Sequence, residues 1–139
     1  MIDTRDEMTW PEEHVAWQGI IDAAPEMSVP HAVHVFIFHT AKQLQSAVGQ
    51  ENIGGHSQAW NAPDSRGVAA VIMLNAEELY LSIVAHEASH VALYHHSGLE
   101  QTRVGARRWL KDHPESIAEM IGNLTALIWY GIPDLGSEQ

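Results

Sequence analysis

Two imidazoles and a carboxylate stand within five residues of one another, at His86, Glu87 and His90 of the segment His86-Glu87-Ala88-Ser89-His90. In an α-helix, at ~100° per residue, positions four apart fall on one face, one turn apart. Two imidazoles placed this way can grip one tetrahedral Zn²⁺, while Glu87 leans over the metal's open side as a base. The competing reading is a pair of hydrogen-bonded core histidines with Glu87 as their acceptor. The surrounding residues Leu79, Leu81, Ile83, Val84, Ala85, Ala88, Val91, Ala92 and Leu93 make the helix apolar nearly all round. That pattern predicts burial, and buried histidines and glutamates need partners, which a metal supplies.

Ten histidines and no cysteine restrict the rest of the ligand set. Without thiolates, disulfide scaffolds are excluded and a metal must be held by nitrogen and oxygen, a set typical of hydrolytic sites. Three candidates compete for the third ligand. His96 has the spacing of the longer HExxHxxGxxH pattern, but Leu93 stands where that pattern needs a helix-breaking glycine. His113, just before the last predicted helix, could reach the metal as an accessory or serve as a cap. Glu115 opens that last helix, with Glu119 one turn on and on the same face. The reading favours Glu115 as ligand, with Glu119 accepting the spare N–H of a ligating histidine and fixing its tautomer. Alternatively, both glutamates simply favour the N-terminal half of a helix dipole. His95 and His96 suit a helix C-terminus, and His14, His31, His34, His39 and His56 show no metal spacing.

These residues need elements to position them. Thr9 and Glu12 form a capping-box pair before the stripe Trp17, Ile20, Ile21 and Ala24, which predicts a first helix over 10–24. The β-prone run 31–38 predicts a strand, and Thr40 can cap a short helix over 41–48 before a turn at Gly54–Gly55. A short strand over 57–60 and a main strand over 68–74 follow. Asn75 and Glu78 are spaced to cap the long helix, which runs to about residue 96 and stops at Gly98. A helix over 101–111 precedes a final one from Pro114 to Tyr130, stopped by Gly131 and Pro133. On that final helix Ile117, Met120, Ile121, Leu124 and Ile128 form a stripe that should pack on the His86–His90 helix. The order of elements predicts α+β, as one domain over 1–139 with 1–8 a frayed tail.

Seven Lys and Arg against eighteen Asp and Glu give a net charge of −11, which disfavours nucleic-acid binding. The one basic cluster, Arg103, Arg107, Arg108 and Lys111, reads as a solvated helix face, and the scattered carboxylates do not form a DNA-like run. The acidic N-terminus does not look like a signal peptide, and no apolar run approaches a membrane span, so a cytoplasmic location is expected.

The chain resembles the gluzincin clan of zinc metallopeptidases, through His86-Glu87-Ala88-Ser89-His90 and through Glu115 and Glu119, the former twenty-five residues after His90. Residues 83–96 and 114–125 look like small metallopeptidases of phages and prophages, in which an aromatic residue often stands where this chain has Glu119. The likeness covers about residues 65–130. It implies a zincin-like fold: a small, mostly antiparallel sheet packed on the buried HExxH helix, then a ligand-bearing helix. It also implies one Zn²⁺, a peptide or protein substrate, and residence in a bacterial or phage-infected cytoplasm. In such a site Glu87 takes a proton from water attacking a polarised carbonyl and returns it to the leaving amine. The strand 68–74 is either an edge for an extended peptide or an ordinary buried strand. Tyr94, His95, His56, His113 and Tyr130 are all candidates to stabilise an oxyanion. A different class of function, a catalytically silent protein-binding module with a structural zinc, would show four protein ligands and no open position.

Overall fold

The computed structural model describes residues 10–23, 32–60, 62–98, 111–112 and 114–133. Its elements are strands β1 (Val15–Asp22) and β2 (Ala32–Phe38), helix α1 (Ala41–Val48), strands β3 (Gly55–Ala59) and β4 (Val68–Asn75), and helices α2 (Leu81–Gly98) and α3 (Pro114–Gly131). The architecture is α+β, as expected. The strands form one sheet in the order β1-β2-β4-β3, with β1/β2 and β3/β4 antiparallel and β2/β4 parallel. The sheet is therefore mixed. Residues 101–110 of the expected 101–111 helix, with Arg103, Arg107 and Arg108, as well as Thr9, His113 and the N-terminal tail, lie outside the described residues.

A parallel β2/β4 pair needs a crossover, and α1 lies on that path. Thr40 opens α1 with a capping box: its hydroxyl accepts from the Gln43 N–H, and the Gln43 side chain accepts from the Thr40 N–H. Glu77 reaches across from the far end of β4 and accepts from the Ala41 N–H at 2.7 Å, placing a carboxylate at the helix's positive end. Gly49 closes α1 in the left-handed region, φ 82°.

Alternation along the strands divides the core in two. Val33, Val35, Ile37, Ile72 and Leu74 face Val84, Ala88, Val91 and Ala92 of α2 and Met120, Leu124 and Ile128 of α3. On the opposite face Phe36, Phe38, Val71 and Met73 pack with Leu44 of α1. Trp10 adds edge-on contacts to Phe36 and Phe38, with ring centroids 4.7 and 5.5 Å away. All eight residues of β4 are buried. The stripe on α3 does pack on α2, as its spacing predicts.

Two local expectations are corrected and one open alternative is decided. The segment read as a first helix is β1, in register from Val15↔Phe38 to Asp22↔Ala32. Its apolar residues also fit a helical stripe, but Val15, Trp17, Ile20 and Ile21 are β-branched or aromatic and Gly19 disfavours helix. The indole of Trp17 lies over Gly19, where a Cβ would approach it to 2.6 Å. Asn75 caps a 3-10 turn, Ala76–Glu78, instead of α2, which starts beyond Tyr80. The amide of buried Asn75 also donates to the Gly54 carbonyl at 3.1 Å, tying the end of β4 to the start of β3. Of the two readings of 68–74, the ordinary buried strand holds: β4 is central and paired on both sides, so the sheet edge beside α2 belongs to β3.

Candidate functional site

His86, Glu87 and His90 all lie on α2, which packs against β3. The helix is less enclosed than its composition predicts. Leu81, Leu93 and Tyr94 are 51, 42 and 42% exposed, and His86 and His90 are exposed as well. One side of α2 meets the sheet and another meets α3, leaving a third side open. The two imidazoles stand on that open side, edge to face at a centroid separation of 4.8 Å. Their Nε2 atoms are 3.2 Å apart.

Glu87 has the opposite environment. It is 4% exposed and points at β3. A Cβ built on Gly55 would stand 2.8 Å from Glu87 Oε2 and 3.1 Å from its Cγ, so the missing side chain of Gly55 makes the carboxylate's cradle. Gly55 does not have a positive φ, and its role is space instead of backbone freedom. Nothing in the residue pattern marks the contact, because it joins two elements that pair only in three dimensions.

A cavity of about 520 Å³ opens between β3 and α2, lined by every residue from Gly55 to Trp60 and by His86, Glu87, His90, Val91 and Tyr94. Successive strand side chains point to opposite faces, so an unbroken run of lining residues means that the wall is β3's backbone edge. A second depression of about 380 Å³ adjoins it, lined by Asn52, Ile53, Gly54, Gly55, Ser82, Ile83, His86 and Glu87. Of the oxyanion candidates, His56 and Tyr94 line the larger cavity, whereas Tyr130 is 85% exposed on α3 and His95 lines neither.

The remaining sequence-predicted ligands are not gathered here. Glu115 and Glu119 are exposed on the first turns of α3, and among the described residues no third His, Asp or Glu joins the histidine pair. His113 and the side chain of His96 lie outside the described residues. The donor chemistry of the pair nonetheless suits zinc: two nitrogens on one tetrahedral ion, each ~2.05 Å from it, stand about 3.3 Å apart. The 3.2 Å separation meets that geometry. It also suits an N–H···N hydrogen bond between the rings, which the metal would replace.

A separate polar network lies on the other side of the sheet. His34, 7% exposed, meets Gln18 Oε1 through Nε2 and Arg66 Nη1 through Nδ1, both at 3.0 Å. Arg66 can only donate, so Nδ1 accepts and Nε2–H donates to Gln18, which fixes a neutral tautomer. Asp64 accepts from Arg66 Nη2 at 2.8 Å and from the backbone N–H groups of Arg66 and Val68. Burial, then the Arg66 guanidinium, lowers the His34 pKa to about 4 against the opposing pull of Asp64. For Asp64, burial raises the pKa, but the hydrogen bonds from Arg66 and Val68 outweigh it and the net direction is down. Sequence spacing gives no sign of this cluster, since its members come from two strands and a loop.

No protein-family model, curated protein or solved structure matches this chain. Among the described residues, no helix is long and apolar enough to cross a membrane.

Proposed function

We propose that this chain is a zinc-dependent peptidase of gluzincin type and zincin-like fold, acting on peptide or protein substrates. One observation carries the reading: two imidazole nitrogens at zinc-ligand separation, directly beside a buried carboxylate that borders the same cavity. His86 and His90 would hold the ion; Glu115, exposed on the neighbouring helix and not gathered with them in this structure, is the expected third ligand, with Glu119 steadying a histidine ring. When bound, Zn²⁺ supplies Lewis acidity to a substrate carbonyl and makes water more acidic.

The chain's own residues do the rest. The backbone edge of β3 offers N–H and C=O groups to an extended peptide, which therefore lies over His86 and His90. Glu87, held by the Gly55 cradle at the cavity wall, accepts the proton of the attacking water on a carboxylate oxygen. It then gives that proton to the departing amine nitrogen, so the base regenerates within one turnover. Its burial keeps the carboxylate in one place, which is the condition for proton transfer at ~3 Å.

Replacing Glu87 with Gln is the direct test. The expected result is unchanged zinc content by mass spectrometry and a loss of peptide cleavage by roughly 10²-fold or more. Undiminished cleavage with zinc retained would refute the mechanism. Glu115→Gln should lower zinc retention on dialysis, and equal retention would remove Glu115 from the ligand set.

A further inference from the structure

The arrangement of the two depressions bears on which peptide bonds such a site would take, an inference that rests on the peptidase reading above. They share Gly55, His86 and Glu87, and extend from that junction in opposite directions along β3: one past Ser57 towards Trp60 and Tyr94, the other towards Asn52 and Ile53. Their volumes, about 520 and 380 Å³, each fall within the ~300–1,000 Å³ of ordinary ligand sites. An enzyme that trims one terminal residue needs the groove closed near the reacting bond, with a charged group to meet the terminal amine or carboxylate. Among the described residues the groove continues on both sides. Among the described residues lining it, Glu87 is the only Asp, Glu, Lys or Arg, and it is committed to proton transfer.

We infer that this groove takes the interior of an extended polypeptide and that hydrolysis falls within the chain, as in an endopeptidase, with two or more residues bound on each side of the cut. The bond that breaks is an internal amide; water supplies hydroxyl to the new carboxylate and a proton, through Glu87, to the new amine.

The test uses random ten-residue peptides, either free at both ends or acetylated and amidated, with the full-length zinc-loaded protein. Internal cleavage at unchanged rate on blocked peptides is expected, and release of single residues from free ends only would overturn the inference. Binding of the same peptides to the Glu87→Gln protein, followed by fluorescence anisotropy, gives a readout independent of turnover. Equal affinity for blocked and free peptides supports the two-sided groove, and loss of binding on blocking overturns it. Ser82→Trp, which fills the smaller depression, should weaken binding of ten-residue peptides; unaltered affinity would count against that side being occupied. If blocked and free peptides bind equally but none is hydrolysed by wild-type protein, the peptidase reading fails while the groove's two-sidedness stands.

Discussion

His34 illustrates how a polar side chain earns a place in a core. It stacks on Phe36 at a centroid distance of 4.0 Å and spends both ring nitrogens on Gln18 and Arg66. Its pKa falls from 6.5 to about 4, so between those values the unfolded chain binds more protons than the folded one. Stability from this group is therefore complete above pH 6.5 and is lost as the pH falls towards 4. The shift corresponds to at most ~3 kcal/mol. Urea denaturation between pH 7 and 4 should show that decline, and the His34 ring, followed by NMR, should stay neutral until about pH 4. A ring that titrates near 6.5 would show that its burial and the Arg66 contact do not hold in solution.

Between elements, the decisive contact is that of Gly55 on β3 with Glu87 on α2. Gly55→Ala puts a methyl group 2.8 Å from the carboxylate oxygen, and overpacking of this kind costs about 1–3 kcal/mol. In a Glu87→Ala background the same substitution should cost much less, because the side chain it strikes is gone. A double-mutant cycle on denaturation free energies measures the difference, and additive costs would dismiss the contact. This pairing also marks where the sequence stops being legible. His86, Glu87 and His90 could be read as one helix face because their relation is local, and the strand over 32–38 and the helix from Thr40 could be read from propensity and a cap. The segment of β1 reads equally as helix because its apolar residues satisfy two periods at once, and only its pairing with β2 decides between them. The two readings of β4, edge or buried strand, stay open in the sequence for a related reason: the segment is continuous and apolar, but whether a strand is central depends on partners distant in sequence.

At the scale of the molecule, α1, the sheet and the α2–α3 pair form three layers, with the His86–His90 pair on the outer layer and the His34 network on the opposite face. A ligand at the pair should therefore stabilise the fold by simple mass action. Zinc at 100 times its dissociation constant would add about 2.7 kcal/mol and raise Tm, an increase that chelator should reverse. The double substitution His86→Ala/His90→Ala should remove the response, and a zinc-dependent Tm that survives it would place the metal elsewhere.

The position of β4 has a kinetic consequence. Its amides are shielded on both faces and its neighbours hold it from both sides, whereas β3 is bonded along one margin only. Hydrogen exchange should divide the sheet accordingly: β4 protons should leave only when the whole molecule opens, and β3 protons through smaller, more frequent openings. Uniform exchange across the two strands would contradict this. The strand that borders the groove would then be the one able to detach and rejoin without disturbing the frame.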